Sequence, residues 1–292
     1  MKQKTGTFLV VAAVVLAGIV TLSYCGSTDG ELSRFNGGWN GTSAFYDQME
    51  RAGHSPISYD TFSQTGNAGT IILVEPSRVP EETDAALIRT FVRDGGTLVV
   101  IAKNESANAI LNAAGSTIRI DESVLSSIDM EYADPRMVIA YPAGNHTLLD
   151  GIESIALNQP STVTGGVPLL KSSVISWIDT NNNGRADGAE TFGKQTVMAH
   201  EYLGEGEVIV LSDSGILLNS MDVAVSERDN ERLRKNLVQG VDTGYDTAVS
   251  EPFATEGILQ AMTGAKSTTI IKIIAILLIT GIICAAYARK IL

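Results

Sequence analysis

The sequence predicts an α/β fold: an open, mostly parallel sheet with an antiparallel β extension, flanked by one transmembrane helix at each end. Three observations lead there. Residues 70–104 hold a strand, a helix and a second strand in about thirty-five residues, the crossover unit of a parallel sheet. From Met137 onward, helical periodicity gives way to short strand-like runs punctuated by proline and glycine. The two most apolar stretches of the 292-residue chain lie at its extremities.

The first span is Thr5 to Tyr24, twenty residues without a charge and long enough as a helix to cross a hydrocarbon core, preceded by Lys2 and Lys4. The second is Thr268 to Ala288, interrupted by Lys272 and followed by Arg289 and Lys290. Cationic tips place both termini in the cytoplasm and the middle of the chain outside. The division that follows is an anchor over 1–25, an exported α/β domain over 26–242, a stalk over 243–267 and a second membrane helix over 268–292. Two other readings of the N-terminus also export the middle: a cleaved signal peptide with Thr21 and Ser23 before the cut, or lipid attachment at Cys25 in Leu22-Ser23-Tyr24-Cys25.

Between Cys25 and Ser267 lie all 33 acidic residues and all but five of the 21 basic ones. Such a surface repels nucleic acid and anionic headgroups and attracts divalent cations and basic protein faces. The expected partners are therefore the membrane that holds the anchors and proteins of the envelope, with any small-molecule ligand left open. Cys25 and Cys284 sit at different depths and do not pair, so the exported domain has neither a disulfide nor a thiol nucleophile of its own.

Within the domain, Asn40 to Ala52 reads as a helix with Asn40 or Thr42 as cap, followed by a strand over His54 to Tyr59. Ile71 to Val74 is a β-branched run suited to a strand covered on both faces. Pro80, Glu81 and Glu82 open a helix whose buried stripe is Ala85, Ile88, Phe91 and Val92; Gly95-Gly96 stops it, and Thr97 to Ala102 resumes as strand. Asn104 to Ala114 is a further helix and Ile118 to Ile120 a short strand. Met137–Tyr141, Glu153–Leu157, Leu169–Ile178, Thr196–Tyr202 and Glu207–Leu211 form the antiparallel part, before a last helix over Asp229 to Val241.

Several runs carry a resemblance: Met49-Glu50-Arg51-Ala52-Gly53-His54, Ile71-Ile72-Leu73-Val74-Glu75-Pro76, Phe91 to Val100 across Asp94-Gly95-Gly96, Gly204 to Asp213, then Asn219 and Asp229-Asn230. In this order they resemble domain of unknown function family 4350, prokaryotic membrane proteins placed near the class I glutamine amidotransferase-like fold, over roughly Ser27 to Val241. The resemblance implies an amidotransferase- or flavodoxin-like sheet and a non-catalytic exported module held at the membrane, often grouped with envelope or transport machinery. That fold's nucleophile is a cysteine at a strand-to-helix elbow with a histidine beside it, and this chain has no cysteine in such a place.

Chemistry is sharpest in Asp179 to Glu190. Asp179, Asn181, Asn183, the Arg185 carbonyl, Asp187 and Glu190 fall at the six ligand positions of a calcium loop, and Gly184 at its sharp turn. Strand-like flanks make it an EF-like loop between strands, a structural clamp for Ca2+. The competing reading is an Asx-rich turn in which the same side chains bond their own backbone. For nucleophilic catalysis the candidates are Ser212 or Ser214 with His200, although Ser212-Asp213-Ser214-Gly215 lacks the glycine of a nucleophile elbow. Asn40, Asn104 and Asn145 open glycosylation triplets. In open parallel sheets ligands bind at the carboxyl ends of the strands, here at Glu75, Ala102 and Asp213. The functional expectation is an extracytoplasmic, non-catalytic binding or scaffold module stabilised by calcium, with a serine-type hydrolase or an accessory subunit of an envelope transport complex as alternatives.

Overall fold

The first helix, α1 (Ser43–Arg51), turns Phe45, Tyr46 and Met49 inward. Neither predicted cap closes it. Thr42 Oγ1 donates to the Leu32 carbonyl at 2.8 Å, and the Ala44 N–H is met by Asn219 Oδ1, far along the chain, at 3.0 Å. In the computed structural model the chain divides into two units, Asp29–Phe253 and a second made of Met1–Thr28 with Ala254–Leu292. The residues described, 30–57, 69–76, 79–103, 105–129, 131–240 and 244–246, all lie in the first.

The crossover unit forms as the apolar spacing predicts. β1 (Ser55–Ile57) precedes it; β2 (Thr70–Val74), α2 (Glu82–Arg93) and β3 (Thr97–Ile101) follow. Ile88, Phe91 and Val92 are buried, and the Glu81 N–H is taken by Asp84 Oδ2 at 3.3 Å in the first turn. A 3₁₀ turn and α3 (Asn108–Ala114) end at Gly115, which takes the left-handed conformation at φ +84°. The strands then run as β4 (Arg119–Ser127), β5 (Met137–Pro142), β6 (Ile155–Asn158), β7 (Ser161–Thr164), β8 (Val167–Ser172), β9 (Ser176–Asp179), β10 (Thr196–Leu203) and β11 (Gly206–Leu211). The short α4 (Met221–Ala224), α5 (Asn230–Gln239) and β12 (Gly244–Asp246) close the described chain.

These strands make a nine-stranded sheet in the order β1-β12-β2-β3-β11-β10-β8-β5-β6 and a three-stranded sheet in the order β7-β4-β9. From β1 to β11 every neighbour is parallel, and from β11 to β6 every neighbour is antiparallel. The expectation of a mostly parallel sheet with an antiparallel extension is corrected to an evenly mixed sheet plus a separate antiparallel one. The cause is local. Parallel neighbours need long crossovers, usually helical, and after Gly115 the described chain offers no helix longer than four residues before Asn230. The tight turn after β10 instead folds β11 back beside it.

Two strands depart from their predicted form. Leu169 to Ile178, read as one strand, breaks between β8 and β9 and serves both sheets; Ile118 to Ile120 is only the start of the longer β4. No helix among the described residues is long and apolar enough to cross a membrane. The flanking transmembrane helices are therefore no part of the architecture described, and the stretches predicted to form them, 5–24 and 268–288, lie outside the described residues. Most of the predicted stalk lies outside them as well, and β12 within it pairs with β1 and β2.

Alternation along the central strands splits the core. Ile72, Val74, Val99, Ile101, Ile209 and Leu211 face Phe45, Met49, Leu233 and Leu237 of α1 and α5. Ile71, Leu73, Leu98, Val100, Val208 and Val210 face Ile88, Val92, Ile110 and Leu111 of α2 and α3.

Candidate functional site

The predicted calcium loop leaves β9 at its last residue, Asp179, whose side chain is 1% exposed. Its Oδ1 accepts the Asn183 N–H at 3.1 Å and its Oδ2 the Gly184 N–H at 2.8 Å. Asn181 Oδ1 accepts the Asn183 N–H, and Asn183 Oδ1 the Arg185 N–H, each an Asx turn across two residues. The amide groups of Asn181 and Asn183 both donate to Asp187 Oδ2, at 2.7 and 2.9 Å, and hold the Asp187 carboxyl below its ordinary range. Glu190 closes the loop, taking the Thr180 N–H on Oε1 and the Asp187 N–H on Oε2. Gly184 adopts φ +68°, the left-handed turn that the ligand pattern demands at this position. The structure thus brings the five ligand side chains into one network with the Arg185 backbone inside it.

At the carboxyl ends of β2, β3 and β11, the predicted rim residues Glu75, Ala102 and Asp213 do lie together, and all three are buried. The Ala102 N–H bonds the Leu211 carbonyl and the Glu75 N–H the Ile101 carbonyl. Glu75 sits at φ +47° and receives Ser214 Oγ at 2.5 Å and the Lys103 N–H at 2.7 Å on Oε1. Asp213 accepts N–H groups from Asn158 and Gly215 at 2.6 and 2.7 Å. Burial pushes its carboxyl up to about 6 against the opposing pull of Lys103 and these two bonds. The rim is polar but filled by its own partners.

Ser212 Oγ donates to the carbonyls of Ser161 and Val197, and Ser214 Oγ to Glu75. His200 is engaged elsewhere, with Glu207 at the opposite end of β11, so the structure does not assemble these serines with His200. Asn145 is exposed and Asn40 half-buried, the latter accepting a bond from Asn36 on Oδ1; Asn104 lies outside the described residues.

A further group was not foreseen. Pairing sets His200 opposite Ile209 and Tyr202 opposite Glu207, so His200 and Glu207 project from one face as diagonal neighbours. Gly206 allows this placement: a Cβ there would stand 2.0 Å from the Val92 carbonyl oxygen. His200 Nδ1 bonds Glu207 Oε1, and His146, arriving from the loop after β5, places Nε2 3.3 Å from Glu207 Oε2. The three side chains are 10 to 12% exposed, and one nitrogen or oxygen from each lies within 4.8 Å of the others. His146 Nδ1 accepts the Leu148 N–H at 3.1 Å, capping the 3₁₀ turn Thr147–Leu149. Burial raises the Glu207 carboxyl, but the bonds and charge of the two imidazoles outweigh this and hold it below its usual range. Glu207 and His146 line a cavity of about 140 Å³ at the amino ends of β2, β3 and β11, with Thr70, Thr97, Thr147 and Leu237 among its walls. Two residues seven apart on either side of a two-residue hairpin turn were the available signal; His146, 61 residues from Glu207, gave none.

With this geometry in hand, comparison with known proteins places the chain. The family model described as Domain of unknown function (DUF4350) matches residues 34–238. The chain belongs to this family. The matched DUF4350 region holds the loop, the rim and the His146–His200–Glu207 group alike. No curated protein matches the sequence. Among solved structures, the mmIFT52 N-terminal domain is 12% identical with a TM-score of 0.49, covering 68% of this chain and 88% of that one. A cytoplasmic protein from Salmonella typhimurium, STM3548, is 12% identical with a TM-score of 0.40 over 69% of this chain and 87% of that one. A β-galactosidase from Bacillus circulans sp. alkalophilus is 12% identical with a TM-score of 0.39, over 64% of this chain but only 27% of its own length.

Proposed function

We propose that this DUF4350 protein is an extracytoplasmic, non-catalytic binding or scaffold module whose loop Asp179 to Glu190 is clamped by calcium. The observation that carries the reading is the loop's conformation. Gly184 is in the left-handed turn, Asp179 is anchored at the end of a buried strand, and Glu190 folds back over the loop's start and middle. The donor set fits a hard cation. Three carboxylates and two amide oxygens supply oxygen ligands, and each oxygen that now accepts one N–H retains a second lone pair. A bound ion would hold β9 to the segment after the loop, which meets it at the antiparallel Trp177–Phe192 bridge, and such strand-flanked placement favours a structural role over that of a sensor. The strongly acidic surface supports divalent-ion uptake by raising the local cation concentration.

Calorimetric melting of the full-length protein with calcium and with chelator tests this. Calcium at a hundredfold excess over its dissociation constant should add about 2.7 kcal/mol, and Glu190→Ala should lose that increment while still folding. An unchanged melting temperature with calcium in the unmodified protein would remove the clamp.

A further inference from the structure

We infer that His146, His200 and Glu207 form a second, distinct metal site, selective for a divalent ion of the zinc class, with one coordination position turned toward the neighbouring cavity. Two imidazole nitrogens and one carboxylate are the borderline donors that zinc-class ions take, in contrast to the all-oxygen set of the Asp179–Glu190 loop. Their geometry is set by the sheet and by a capped turn: His200 and Glu207 stand on paired strands, and His146 is pinned by its bond to the Leu148 N–H. The 3.3 Å between His146 Nε2 and Glu207 Oε2 is about the separation of two ligands on a tetrahedral ion with bonds near 2.0 Å. Three protein ligands leave a fourth position, and His146 and Glu207 front the 140 Å³ cavity, which has room for water or a small anion.

The hydrogen bonds define what metal entry must change. Because His146 Nδ1 accepts the Leu148 N–H, the neutral ring carries its proton on Nε2 and donates it to Glu207. A metal ion at Nε2 moves that proton to Nδ1 and ends the cap on Leu148. Metal binding is thus coupled to the turn Thr147–Leu149, and a purely structural carboxylate bridging two imidazoles would show no such coupling.

Titration of the full-length protein with Co(II), followed by displacement with Zn(II), reads the site directly. The expected result is one equivalent with the visible absorption of a four- or five-coordinate ion. His146→Ala, His200→Ala and Glu207→Gln should each weaken uptake at least about tenfold. Glu190→Ala should leave it intact, and Glu207→Gln should leave the calcium response intact, which separates the two sites. In ¹⁵N spectra of the unmodified protein, zinc should shift the His146 proton from Nε2 to Nδ1. Absence of stoichiometric Co(II) uptake by the unmodified protein, uptake unaltered in the three variants, or an unmoved His146 tautomer would each overturn the assignment.

Discussion

Asn230 substitutes for a β-strand. At the start of α5 and 2% exposed, it donates from Nδ2 to the Ala156 carbonyl at 2.7 Å and accepts the Ala156 N–H on Oδ1 at 2.9 Å. β6 ends the nine-stranded sheet, and this side chain meets its outer edge as a neighbouring strand would. Asn230→Ala leaves a buried N–H and a buried carbonyl with no partner and no water, since Ala156 is 0% exposed. At about 1 to 3 kcal/mol for each of the two abandoned groups, the loss should be about 2 to 6 kcal/mol. With a urea slope of roughly 3 kcal/mol/M, the midpoint of unfolding falls by about 0.7 to 2 M at an unchanged slope. Asn230→Asp should be worse than the acceptor count suggests, because it sets a carboxylate oxygen against the Ala156 carbonyl. A midpoint shift equivalent to less than about 1 kcal/mol in Asn230→Ala, or an Asp variant as stable as the original, would refute the strand-surrogate account.

Other outcomes follow from the same geometry. Asp213 has a folded-state pKa raised to about 6, above its ordinary 3.8, so the stability it contributes is complete below pH 3.8 and is lost as pH rises through about 6; urea titrations from pH 4 to 7 should show this loss. Glu207, held below its ordinary range, contributes in the opposite sense, and that share disappears as pH falls through its folded pKa. Gly206→Ala should destabilise by about 3 kcal/mol or more, since the new methyl meets the Val92 carbonyl and the backbone must move; thermal melting decides it. A serine-directed covalent probe should leave the protein unlabelled, and labelling abolished by Ser214→Ala would contradict the observed engagement of that hydroxyl with Glu75.

What the sequence disclosed divides along a physical line. Residues 70–101 were legible because strand, stripe and glycine stop are all local, and the burial of Ile88, Phe91 and Val92 follows from spacing alone, although the helix opens at Glu82, after the predicted Pro80, with Glu81 as its cap, and Ala85 is only partly buried. The turn chemistry of Asp179 to Glu190 was legible for the same reason, since its Asp and Asn side chains take backbone N–H groups two to five residues on. The cap of α1 was not, since Asn219 lies 175 residues from the N–H that it satisfies. Sheet order was only partly readable: a hairpin turn announces one antiparallel pair, but nothing in Leu169 to Ile178 says that its halves serve different sheets. The His146–His200–Glu207 group depends on the diagonal register of β10 and β11 and on a loop from another part of the chain, and periodicity does not encode either.

Strand β12 stands between β1 and β2, parallel to both, although Gly244 lies 187 positions after Ile57 of β1 and 170 after Val74 of β2. While the polypeptide is being made, the flank of β2 that will receive this strand has no neighbour until residue 246 has emerged, and β1 has nothing to dock upon. The amino-terminal segment therefore cannot be locked into place early, however soon its helix forms. Truncation just short of Gly244 should expose two unsatisfied strand edges at once, and such edges are where chains adhere to one another.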